Sequence, residues 1–131
     1  DEPLLVVGLL GGQDLVQADS PFGTRAGDPS LFLVPPDRQL RRDYAFLVPG
    51  TYALDFLTVV AAADTALALD GEPVDLAGAA PIPGTARVFL HLPLGDGGHR
   101  VTGDGPFAIR VTAFDDFVSY ALTGGLDLRK P

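Results

Sequence analysis

The chain contains no cysteine, no methionine, no tryptophan and no asparagine, and its one lysine is Lys130. Without cysteine there is no disulfide framework and no thiolate metal site. Without asparagine there is no acceptor for N-linked glycans. Without tryptophan a sugar-stacking platform loses its largest ring. No apolar run reaches the roughly 18 residues of a membrane-crossing helix, because Gly, Pro or Asp interrupts each one. Positive charge is also scarce: nine Lys and Arg stand against 17 Asp and Glu, for a net charge of −8. Such a chain repels polyanions, so nucleic acid and anionic membrane surfaces are poor partners, and no membrane insertion is expected. The short basic cluster Arg38, Arg41 and Arg42 reads as a solvated turn or as partners for nearby acids. Scarce lysine beside abundant Ala, Gly, Pro, Leu, Arg and Asp points to a GC-rich bacterial gene.

What is present is 47% hydrophobic residues over 131 positions, enough for one domain with a buried core. Sixteen Gly and twelve Pro argue against long helices and for short strands joined by turns. One pattern occurs twice. Asp1-Glu2-Pro3 leads into Leu4-Leu5-Val6-Val7, and Asp104-Gly105-Pro106 leads into Phe107-Ala108-Ile109-Arg110-Val111. Proline suits the first residue of a strand after a turn, so each copy predicts a proline-led strand. The expectation is a single module over residues 1–131, read alternatively as the second half of a duplicated unit. The start at Asp1 reads as that of a mature or excised segment.

The apolar spacing predicts strands at residues 3–10, 30–34, 44–48, 51–61, 65–69, 73–76, 86–94, 99–102, 107–113 and 117–122. Residues 11–29 read as a long polar loop, part of it packed as an ordered surface loop. Residues 37–43 read as one helical turn with Asp37 as N-cap. Asp70-Gly71-Glu72 is a hairpin signal, and Gly95 to Gly98 and Gly103-Asp104-Gly105 read as turns. In the strand at 51–61 both faces are apolar, as in a central strand covered on both sides. The predicted class is all-β, a sandwich of about eight to ten short, mostly antiparallel strands, with a barrel as runner-up.

Several pieces resemble one family. Gly98-His99-Arg100-Val101-Thr102-Gly103-Asp104-Gly105-Pro106-Phe107, then Phe114-Asp115-Asp116-Phe117-Val118-Ser119-Tyr120 and Gly124-Gly125-Leu126, look like the end of the IgGFc-binding protein domain. Gly27-Asp28-Pro29-Ser30, Pro35-Pro36, residues 39–42 before Tyr44, and Thr51-Tyr52-Ala53 with Asp55-Phe56 resemble its bacterial members. The resemblance covers most of residues 27–128. It implies a secreted or surface-exposed module beside adhesive or mucin-like neighbours. It does not bring immunoglobulin binding with it. The cysteines associated with that setting are missing, and Ala121-Leu122-Thr123 stands where the family has an aromatic-proline turn.

The chemistry-bearing residues fall into a few groups. Ser119 with His99 or His91 would be the parts of a hydrolase, but no Gly-x-Ser-x-Gly turn frames the serine. His91 and His99, on adjacent predicted strands, lack a third metal ligand. Asp115 and Asp116 with Asp96 or Asp104 would be a calcium site only with a loop motif that is missing, so they read as turn acids. Asp55 is a carboxylate inside a strong strand, and it should be buried in a structural ion pair with Arg41 or Arg42. Tyr44, Asp115, Asp116, Phe117 and Tyr120, at strand ends, form a candidate binding surface.

The resulting expectation is a non-catalytic extracellular or cell-surface module for adhesion or structural display, with no cofactor. Its expected partners are neighbouring modules of a parent protein, a surface protein or a glycan, and a second copy through the strand at 4–10. The alternatives are a carbohydrate-binding accessory domain and, further off, a serine hydrolase domain.

Overall fold

In the computed structural model, residues 4–12 and 26–128 are described. The strand with two apolar faces takes the central place. It is β4 (Leu54–Ala62), paired antiparallel with β8 (Arg87–Leu94) on one side and with β9 (Gly97–Asp115) on the other. Leu57, Val59 and Ala61 on one of its faces are buried, and so is Thr58 on the other.

The 19 residues of β9 organise the whole molecule. Its first part pairs with β3 (Arg41–Val48) and with β5 (Leu67–Leu69), and β5 pairs in turn with β6 (Glu72–Val74). Its second part pairs with β4 and with β10 (Val118–Thr123). The two-residue β7 (Ala80–Pro81) extends the sheet beyond β8. One long strand thus belongs to both halves of a single sheet, which curls until the halves face each other. Tyr44, Val48, Leu67 and Val101 from one half meet Leu57, Val59, Ile109 and Val111 from the other around the fully buried Phe107. The Tyr44 ring meets Phe107 edge-on, with centroids 5.1 Å apart. The class is all-β as expected, with ten strands among the described residues and one three-residue 3-10 turn, Asp37–Gln39.

The turn expected at Gly103-Asp104-Gly105 does not exist, because β9 runs straight through it. In its place is a large bulge. Arg41 lies opposite Phe107 and Asp43 opposite Thr102, so residues 103–106 face Arg42 alone. This slack admits Pro106, which has no N–H to give a ladder, inside a strand. The bulge is pinned on both sides. Asp104 N–H donates to Ala66 O (3.1 Å), Ala66 N–H donates to Asp104 Oδ1 (3.0 Å), and Arg42 Nη1 donates to Asp104 O (2.5 Å). A Cβ on Gly103 would lie 2.9 Å from both Leu67 and Phe107, so a larger residue there would force these core side chains to shift.

The Asp70-Gly71 hairpin is present. Both residues have positive φ (53° and 89°), the geometry of a two-residue type I′ turn. The predicted helical turn is shorter than expected, since β3 starts at Arg41. Pro36 holds the N-cap position with no side-chain cap bond. Asp37 instead meets Arg87, Oδ2 to Nη2 at 3.1 Å.

Apart from the curled sheet stands a two-stranded ribbon of β1 (Val7–Leu10) and β2 (Ser30–Leu33), in register Val7 to Leu33 and Leu9 to Leu31. Val34 N–H donates to Val6 O (2.9 Å) and extends the ladder by one rung. Pro3 and residues 13–25 of the expected loop lie outside the described residues. The two proline-led segments have different surroundings: among the described residues β1 pairs with β2 alone, whereas Phe107–Ala113 runs through the core with Pro106 inside its strand.

Candidate functional site

The ribbon lies against the outer face of the curled sheet. Its inner side chains, Leu10, Ser30 and Phe32, are half-buried. Gly8 makes this possible, because a Cβ there would collide with the Phe32 ring. Ser30 ties the ribbon to β10: its Oγ–H donates to Ser119 O (2.9 Å). Between ribbon and sheet runs a groove of about 300 Å3.

Alternation along the strands sets what the groove contains. The core takes Leu57, Val59, Ile109 and Val111, so Thr58, Val60, Ala108 and Arg110 point outward beneath the ribbon. Phe89 and His91 of β8 form one wall, and Phe32 and Val34 form the other. Arg110 sits at the centre. Its guanidinium carbon lies 4.9 Å above the Phe32 ring, and Nη2 donates to Thr58 Oγ1 at 3.3 Å. Thr58 Oγ1 is also 3.1 Å from His91 Nδ1. Among the described residues the buried Arg110 Nε–H finds no acceptor, and none of those lining the groove is acidic. Burial accordingly holds the Arg110 pKa below its ordinary value. A second, larger cleft of about 560 Å3 lies at the bulge, lined by Asp37, Asp64, Asp104 and Arg87, and its one cation is already paired with Asp37.

The candidates from the sequence fall in several places. Asp55 is buried as expected, but its partners are not Arg41 or Arg42. Asp55 lies opposite Ala113 and Leu94, while Arg41 lies opposite Phe107, six residues further back along β9. Arg41 instead lies 6.0 Å from the Tyr44 ring centre, and Arg42 binds the bulge. Among the described residues Asp55 Oδ1 has no hydrogen-bond partner, and neither has the buried hydroxyl of Tyr120. Burial, with the nearby charge of Asp96, raises the Asp55 pKa. Burial first, then Asp55 and Tyr52, raise that of Tyr120.

The candidate binding surface divides. Tyr44 belongs to the core: its hydroxyl donates to Phe107 O (2.6 Å) and accepts from Arg41 N–H (2.9 Å), and burial raises its pKa. Tyr120 packs edge-on against Tyr52, 4.9 Å between centroids. Asp115, Asp116 and Phe117 form the tip between β9 and β10. There Phe117 is exposed with φ 59°, Asp115 Oδ1 accepts from Asp116 N–H (2.6 Å), and Asp116 bridges to Ala26.

Ser119 and His99 sit at opposite ends of β9, beside Phe114 and Phe46 respectively. Ser119 Oγ is engaged with the backbone of Asp28 and with Ser30. His91 and His99 are not on neighbouring strands, because β4 stands between β8 and β9. His99 is held by Asp70 (Nδ1 to Oδ2, 2.7 Å) and Gly95 O (Nε2, 2.9 Å). Among the described residues no cluster of three or more His, Asp or Glu is placed to hold a metal ion. Nor is any helix long and apolar enough to cross a membrane.

Arg110 is a site residue that the sequence pattern alone does not single out. A signal was available. If both faces of β4 are apolar, then the outer face of its neighbour β9 is covered as well, and a charge there is trapped under a lid.

Fold and groove together describe an all-β module with a groove beneath its ribbon. The chain belongs to the IgGFc binding protein family, whose model matches residues 1–113. That family comprises non-enzymatic binding domains, typically extracellular. The match takes in residues 1–26, before the stretch that carried the resemblance, and stops short of the Asp115-Asp116 tip. No curated protein and no solved structure matches the chain.

Proposed function

We propose that the chain is a non-catalytic extracellular module of a bacterial surface or secreted protein, serving adhesion or structural display. Family membership supports the binding class. The observation that carries the reading is the outer face of the ribbon. Val7, Leu9, Leu31 and Leu33 form a paired apolar row that is about half to three quarters exposed, continued by Leu5. No ionisable residue occurs in residues 4–10 or 30–34 of a chain that carries −8 overall. A charge-free apolar row on an acidic module fits an apolar protein surface, which here is a neighbouring module or a second copy.

Light scattering on the whole chain across concentration tests this, with a glycan array beside it. Repulsion between copies is screened beyond about 8 Å at physiological salt. Self-association is therefore expected there, weaker at low salt, abolished by Leu9→Lys with Leu31→Lys, and without glycan binding. A strict monomer that binds a glycan would replace this reading with a carbohydrate-binding accessory domain.

A further inference from the structure

We infer that the groove beneath the ribbon takes a carboxylate borne on an apolar group, with Arg110 as its anchor. The site is separate from the ribbon's outer face, and the inference stands whether or not that face docks a protein.

A guanidinium carries five N–H donors in a planar fork that matches a carboxylate. In Arg110 one arm is used, weakly, on Thr58 Oγ1 at 3.3 Å, and Nε–H is buried with no acceptor. A buried donor on a cation is costly to leave unmade, and here no acidic residue among those described completes it. Phe32 fixes the position of the guanidinium from the ribbon side without consuming any of its donors. The missing partner is therefore an anion that offers two acceptors in one plane. The remaining walls select what carries it. Val60, Ile82, Phe89 and Ala108 are apolar, and about 300 Å3 suits a short aliphatic or aromatic group. A free inorganic anion would leave these walls unused.

Two sources share this chemistry: the terminal carboxylate of a peptide ending in an apolar residue, and a short fatty acid. Titration calorimetry and NMR on the whole chain distinguish them with N-acetyl-Leu-Phe as free acid, the same dipeptide as its amide, and octanoate. The Arg110 Nε–H resonance provides a direct readout. The expected result is millimolar or better binding of at least one acid, with a shift of that resonance. The amide should bind at least about tenfold more weakly, the scale of losing a charged hydrogen-bonded pair. Binding of the peptide acid alone assigns the terminal carboxylate, and binding of octanoate alone assigns the fatty acid. Arg110→Gln should abolish the acid preference, and Arg110→Lys should restore it only in part, since lysine lacks the fork.

Equal binding of acid and amide would overturn the inference, as would no shift of the Nε–H resonance with either acid. Arg110 would then serve only to pack its stem and stack on Phe32. The wild-type acid-against-amide comparison stands even if the Arg110 variants fail to fold.

Discussion

The curled sheet and the ribbon both form from apolar alternation, yet they use it in opposite ways. In β4 and β9 the alternation places Leu57, Val59, Phe107, Ile109 and Val111 inside, each no more than 3% exposed. In the ribbon the same kind of alternation leaves Leu9 73% and Leu31 63% exposed. Among the described residues, Phe32 against Arg110, Ser30 bonded to Ser119 and the half-buried Leu10 hold it to the sheet. The difference is one of strand number. A strand paired on both sides and covered on one face must bury apolar groups, whereas a two-stranded ribbon has a face with nothing of its own to cover it. Hydrophobicity identifies both regions as strands, and only the pairing separates core from contact surface.

The sharpest way to break this comparison is to truncate one side chain in each region. Phe107→Ala removes the largest fully buried group and should cost about 3–5 kcal/mol. Leu9→Ala removes an exposed one and should stay within about 0.5 kcal/mol. Denaturant midpoints at constant slope measure both. If Leu9→Ala costs as much as Phe107→Ala, the ribbon is part of the core and the distinction falls.

A smaller effect should separate the two regions within one molecule. Gly8→Ala drives a methyl into the Phe32 ring, an overpacking worth about 1–3 kcal/mol. Its signature is local. Amides of β1 and β2 should lose hydrogen-exchange protection, while those of β4 and β9 keep theirs. Uniform loss of protection would mean that ribbon and sheet unfold as one unit.

Strand positions, the Asp70-Gly71 turn and the all-β class were legible because they rest on local alternation and on φ preference. The bulge was not. Gly103-Asp104-Gly105-Pro106 has the composition of a turn, and what keeps it extended is the long-range clamp from Ala66 and Arg42. For the same reason Asp55 was given the wrong partner. Its burial follows from its own strand, but which arginine lies near depends on the register of β3 along β9. Arg110 was overlooked because its environment is made by β2, some 80 residues earlier in the sequence.

Asp55 should show its isolation through pH. Burial, and then Asp96, raise its pKa above the ordinary 3.8. The folded chain therefore binds the proton more tightly than the unfolded chain. Stability from this group is greatest below 3.8 and falls as pH rises through the folded value. Asp55→Asn removes the dependence. The variant should be more stable than wild type at neutral pH by about 1 kcal/mol, the low end of the cost of an unsatisfied buried oxygen. The gain should shrink toward about pH 3. Melting curves across pH measure it, and a loss at neutral pH would mean that Asp55 has a partner after all.

The smallest effect concerns the surface clamp on the curled sheet, where the sign is opposite. Both ring nitrogens of His99 face acceptors, Asp70 Oδ2 and Gly95 O, so only the doubly protonated ring donates to both. Burial pushes the His99 pKa down, but the bonds to Asp70 and Gly95 outweigh it and leave it above 6.5. The bond from His99, then that from Arg100 N–H, holds Asp70 below 3.8. A raised histidine pKa gives stability that is complete below 6.5 and is lost as pH rises through the folded value. A lowered carboxylate pKa gives stability that is present above 3.8 and is lost as pH falls through the folded value. The clamp between the β5–β6 turn and the start of β9 is therefore strongest at about pH 5, between the two. His99→Gln should lower the melting temperature slightly there, and the deficit should shrink toward about pH 9 as the pH rises through the folded value. An equal deficit at both pH values would show that ring shape and packing against Phe46, 5.8 Å away between centroids, set the role of His99 rather than its charge.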